Sequence, residues 1–209
     1  MSHSSEERAA LADALAAAGP NAATLCEGWT THDLAAHLVT RERRPDAGPG
    51  IMLPLLAGWT ERVRRGFLKR PYEELVQLVR TGPPITSWAA LPNADAMLNL
   101  TEHFVHAEDV RRAQNGWKPR DLPADRQAAL WRALVVRGRQ FFRHSPVGVT
   151  LATPDGRTHL AIGRVPAVTL TGEPAELMLY AFGRKDRALV EITGPPEAVS
   201  AFRGTHLAV

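Results

Sequence analysis

Apolar positions along this chain follow two different periods, and the change falls near residue 145. Before it, apolar residues recur three and four apart, the period of helices packed on a core; after it, short β-branched runs separated by turn residues predict strands. Ser4 and Glu7 have the spacing of a capping box ahead of a helix to about Ala18, which Gly19-Pro20 stops. "LCEGWT" is a turn. Thr30 and Asp33 offer a second capping box for a helix through "HDLAAHLVTRERR", ended by Pro45 and a loop rich in Pro and Gly. Residues 54–80 read as helical with a break at Pro71, and "TGPP" at 81–84 is a loop. Pro92 suits the first turn of the next helix, which Asn115-Gly116 ends, and a last long helix covers 123–142 with Leu130, Leu134 and Phe141 at helical spacing.

Beyond Ser145-Pro146, "VGVTLAT", "THLAIGR", "AVTLTG" and "ALVEITG" predict strands, the first two joined by the turn "PDG". "EPAELMLYAFG" is a helix closed by Gly183. The order is β-β-β-α-β-α, so the chain reads as α+β: a helical bundle at 1–145 followed by a small α+β domain at 146–209. Repeats, low-complexity tracts and heptads are absent from it.

Composition narrows the classes. With 209 residues and 44% hydrophobic content, the chain can bury a substantial core. It has no apolar run near the roughly 18 residues of a membrane span. The start "MSHSSEERAALADALAAAG" carries acids where a secretory signal needs a basic end, so a cytoplasmic location without membrane association is expected. One cysteine, Cys26, excludes an internal disulfide. The net charge is only +3 with acids interspersed, a weak footprint for nucleic acid, and no nucleic-acid partner is expected. Lysine occurs only at Lys69, Lys118 and Lys185, so the positive charge is nearly all arginine, suited to planar pairing with carboxylates. No motif encodes an oligomeric state.

The chemistry concentrates in "NLTEHFVHAEDVRRA" at 99–113. At about 100° per residue, Glu102 and His106 lie one turn apart on one face and Asp109 falls beside Glu102, while His103 is turned aside. Leu98 and Val105 flank that row, so carboxylates and an imidazole point inward, where an unpaired polar group costs about 1–3 kcal/mol. A third ligand must come from elsewhere. His32 and His37 are five apart, about 140° around their helix, and cannot face one centre; His37 lies beside the Leu34 and Leu38 stripe and is the inward candidate. His37, Glu102 and His106 are then the donors for zinc or a similar divalent ion with a position left open. Asp109 is placed to orient His106, to act as a base, or to pair with Arg112 or Arg41. Arg41 shares the His37 face, where it clamps an anionic substrate or forms an ion pair with Glu102 or Asp109. Cys26 has no base beside it in sequence and reads as a packing residue, and His103 and His32 as structural or exposed ones. The sequence assigns no catalytic residue, and G-x-S-x-G, Walker and dinucleotide fingerprints are absent from it.

The phrases "LCEGWTTHDLAAHLVTRERRPDA" and "NLTEHFVHAEDVRRA" resemble the N-terminal domain of mycothiol-dependent maleylpyruvate isomerase and its actinobacterial relatives, within the DinB-like group of four-helix metal proteins. The resemblance covers residues 5–145 and implies an antiparallel four-helix bundle whose divalent-metal ligands fall on His37, Glu102 and His106. "LTGEPAELMLYAFGR" is similar to the sterol carrier protein-like domain that follows the bundle in those proteins. The resemblance also implies a low-molecular-weight thiol, mycothiol, as cofactor, and a transferase or isomerase acting on a small molecule. A non-catalytic metal- or ligand-binding protein and a hydrolase using metal-activated water stand beside that reading.

Overall fold

A reciprocal capping box opens the helix that carries His37. Thr30 Oγ1 accepts from Asp33 N, and Asp33 Oδ2 accepts from Thr30 N at 3.1 Å. In a computed structural model, which describes residues 2–47, 50, 53–84 and 96–207, the N-terminal part contains α1 (His3–Ala18), α2 (Thr31–Arg43), α3 (Ala57–Phe67), α4 (Tyr72–Thr81) and α5 (Ala96–Arg112). The C-terminal part contains α6 (Ala124–Phe141), β1 (Gly148–Ala152), β2 (Thr158–Ile162), β3 (Ala167–Thr171), α7 (Pro174–Ala181), β4 (Glu191–Thr193) and α8 (Pro196–Arg203). The mixed α+β class and the β-β-β-α-β-α order of the tail agree with the sequence reading. Pro92 and the Leu98 side chain lie outside the described residues.

Two compact units divide the chain, Met1–Pro119 and Arg120–Val209. This differs from the boundary expected at 145: α6 packs on α7 and β2, within the C-terminal unit. The apolar stripe of α6 shows that it is covered, but not by what. Gly138 gives α6 room against the sheet, since a Cβ there would sit 3.3 Å from the Ala161 Cβ. The strand order is β2-β1-β3-β4, with β1 and β3 parallel and both outer pairs antiparallel. Val149, Leu151, Val168 and Leu170 turn one face of the sheet into the core of this unit.

In the N-terminal unit, α1 packs on α5 and α4, and α2 on α4 and α3. Leu11, Leu15, Leu34, Leu38, Leu75 and Val79 are fully enclosed, and each of the leucines is worth about 2–5 kcal/mol against truncation to alanine. The start of α1 differs from the expected Ser4–Glu7 box. Ser2 is the N-cap and accepts from Ser5 N at 3.2 Å, while Glu7 is buried and cannot fold back to the terminus. Gly19 ends α1 with φ +77°, a conformation that side chains with a Cβ rarely adopt. Across this core, Glu42 of α2 accepts from Arg8 of α1 at 2.6 Å and from His103 Nε2 of α5 at 2.9 Å. Three helices are thereby tied at one buried carboxylate. His103 is structural, as expected, and wholly buried.

Candidate metal centre

The loop between α1 and α2 is built by its own hydrogen bonds. Thr24 Oγ1 donates to Trp29 O at 2.9 Å and accepts from Cys26 N, and Trp29 N returns to Cys26 O at 3.0 Å. Leu25 N donates to the Asp109 carbonyl at 3.1 Å, which pins the loop to α5. Cys26 therefore lies against the last turns of α5, and the Trp29 ring packs on His37 with centroids 5.1 Å apart. Arg64 of α3 also lies over the Trp29 ring, its guanidinium carbon 5.1 Å from the centroid, and pairs with Asp33 at 2.7 Å, so α3 braces the start of α2.

On this frame the structure brings His37, Glu102 and His106 together, each offering a donor atom within 4.8 Å of the others. His106 Nε2 is 3.2 Å from Glu102 Oε1 and His37 Nε2 is 3.9 Å from the same oxygen. An ion about 2.0–2.2 Å from each donor spans such gaps with small side-chain adjustments. Asp109, of the options open from the sequence, takes the one beside His106: its Oδ2 accepts from Nδ1 at 2.9 Å, while Arg112 pairs with Glu108. The Nδ1 bond fixes the ring so that Nε2 faces Glu102 and His37. Arg41 is buried, with Nε 3.6 Å from Glu102 Oε1 and a guanidinium N–H donated to Asn99 Oδ1 at 2.8 Å. Of the two roles open from the sequence, the structure shows the internal ion pair, with Glu102 as its partner.

The electrostatics suit a cation. Burial alone would raise the Glu102 carboxyl pKa, but hydrogen bonds from His106 and His37 and the Arg41 charge hold it well below the usual carboxylate range. Burial keeps His37 below the ordinary imidazole value, against the pull of Glu102, and so neutral with a lone pair to give. Burial acts the same way on His106, yet Asp109, Cys26 and Glu102 together push it well above that value. A proton on His106 is thereby favoured between two carboxylates, where a bound metal would supply the positive charge instead.

Sequence reasoning missed the surroundings of Cys26. Its Sγ–H donates to Asp109 Oδ2 at 3.2 Å, and Sγ lies 3.9 Å from His106 Nδ1, so the cysteine is not a bystander with packing neighbours alone. It also missed Asn99 as the anchor of Arg41 and Trp29 as the support of His37. Neither pairing follows from spacing along the chain. His32, by contrast, is turned away to the Tyr72 ring, 5.6 Å distant, in keeping with its exclusion from the centre.

The sequence model of the family described as the mycothiol maleylpyruvate isomerase N-terminal domain matches residues 1–44, which include His37 and Arg41. This is the family that the two sequence phrases resemble. Among solved structures, that of a mycothiol-dependent maleylpyruvate isomerase is 16% identical, with a TM-score of 0.59 over 93% of each chain. A second, of a histidine-to-alanine mutant of mycothiol-dependent maleylpyruvate isomerase, is 17% identical, with a TM-score of 0.56 over 93% of each chain. No curated protein matches the sequence. At these identities the structural likeness is one of fold.

Proposed function

We propose that the chain is a divalent-metal protein in which His37, Glu102 and His106 hold the ion, zinc being the best fit to the donor set, and that it serves as a mycothiol-dependent transferase or isomerase of a small molecule. The observation that carries this reading is the convergence of two imidazole nitrogens and a carboxylate oxygen from α2 and α5 within 4.8 Å. Three such donors leave a fourth position free, the feature of catalytic and not of closed structural sites. The residues fit the ion chemically, since His37 is held neutral, Glu102 ionised, and His106 aimed by Asp109. When bound, the ion lowers the pKa of a thiol at the free position and so supplies the nucleophile. The names of the structural relatives agree with mycothiol as that thiol, and the match to the family model extends through His37.

The chain's own side chains have separate duties. Asp109 holds the His106 ring through Nδ1, Trp29 holds His37, and Arg41, steadied by Asn99, places a guanidinium beside Glu102 where an acidic group of thiol or substrate can pair with it. In this reading α1, α2, α4 and α5 form a DinB-like antiparallel four-helix bundle, and the strands with α7 and α8 a sterol carrier protein-like domain.

Elemental analysis followed by calorimetry tests the function. Mycothiol should bind the zinc-loaded chain and not the metal-stripped one, with a proton released that is visible as a difference between two buffers of unlike ionisation heat. Equal binding to both forms overturns the thiol role. No binding to either, with zinc present, moves the reading to metal-activated water or to a non-catalytic binding protein.

A further inference from the structure

We propose a second cation site, selective for a thiophilic ion, formed by Cys26 Sγ, His106 Nδ1 and Asp109 Oδ2. The three atoms come from the loop before α2 and from α5, and all lie within 4.8 Å of one another. Their separations are 3.2 Å from sulfur to carboxylate, 3.9 Å from sulfur to nitrogen and 2.9 Å from nitrogen to carboxylate. A tetrahedral ion about 2.3 Å from sulfur and about 2.0–2.2 Å from nitrogen and oxygen needs donors about 3.3–3.6 Å apart, so shifts of about 0.5 Å complete the site. The frame for it already exists. Leu25 N is bonded to the carbonyl of Asp109 itself, Thr24 bonds the Cys26 amide, and the Asp109 side chain is fully buried.

Softness separates this set from the one on the other side of the ring. A thiolate with one imidazole favours Cd²⁺, Cu⁺ or Zn²⁺ over hard ions, whereas His37 and Glu102 offer nitrogen and oxygen alone. Occupation releases the Sγ proton now donated to Asp109 and the proton on Nδ1, leaving Nε2–H donated to Glu102 Oε1. A neutral imidazole gives its lone pair through one nitrogen at a time, so an ion at Cys26 withdraws His106 from His37 and Glu102. The two sites therefore compete through one ring. This goes beyond the proposed function, and it stands whether or not a thiol cofactor is used.

The test is titration of the metal-stripped full chain with Cd²⁺, followed by the ultraviolet thiolate-to-cadmium charge-transfer band. Cys26 is the sole cysteine, so the band reports on it alone. The band should saturate at one ion per chain. It should vanish in Cys26→Ser, weaken in affinity by about tenfold or more in Asp109→Asn and in His106→Gln, and persist in His37→Ala. Circular dichroism identifies folded variants, and two independent ligand substitutions guard against the collapse of either. In the zinc-loaded chain, a chromogenic chelator should register zinc release as the band grows. Absence of the band in the wild type overturns the proposal. So does wild-type cadmium affinity in both folded Asp109→Asn and His106→Gln, the signature of a thiol binding alone, or full zinc retention at band saturation.

Discussion

The two nitrogens of His106 face two carboxylates, so this one ring links Glu102 to Asp109. His37→Ala removes a donor while leaving both His106 hydrogen bonds in place, so zinc should fall from stoichiometric to weak or absent by elemental analysis after dialysis. The fold should lose only about 0.5–3 kcal/mol by denaturant titration, since the surrounding core is apolar and intact. Stoichiometric zinc at unchanged affinity in His37→Ala would remove it from the ligand set. Glu102 and His106 were legible as a facing pair because one helical turn puts them there whatever the rest of the chain does. Cys26 was not, since 80 residues separate it from His106 and 83 from Asp109, and no local period reports on such a meeting.

At the scale of elements, α2 is the part whose start is set locally. Thr30→Ala removes the hydroxyl acceptor of the box and should cost about 1 kcal/mol, read as a lower denaturation midpoint at unchanged slope. Asp33→Ala should cost more, because Asp33 also receives Arg64 from α3. Equal losses in the two variants would deny α3 its bracing part. The Thr30–Asp33 box was legible because its reciprocal bonds span only one turn. An identical spacing at Ser4–Glu7 misled, because core packing claims Glu7 and the helix begins earlier, at Ser2. The long helix at 124–141 was legible as a helix, but its membership was not. Its stripe says only that one side is covered, and α7 and β2 cover it.

For the molecule as a whole, acid stability should depend on Glu42. Burial would raise its carboxyl pKa, but the His103 hydrogen bond and the Arg8 charge outweigh that and hold it below the usual value. A depressed carboxylate pKa stabilises the folded chain above about pH 4.5, and the contribution is lost as pH falls through the lowered value. Glu42→Gln should therefore be about 3–5 kcal/mol less stable than wild type near neutrality, where it strands Arg8. The gap in thermal midpoint should close as the medium is acidified; a gap independent of pH would mean that shape and not charge sets the loss. The long separation of Cys26 from His106 in the chain also gives the centre a timetable. At about 5–20 residues per second, a ribosome delivers α2 several seconds before α5 exists, so a nascent chain carries His37 without its α5 neighbours Glu102 and His106. For the proposed metal centre, capture of an ion would wait for α5 to emerge, and loading would be an event of late synthesis or afterwards, not of the first helices.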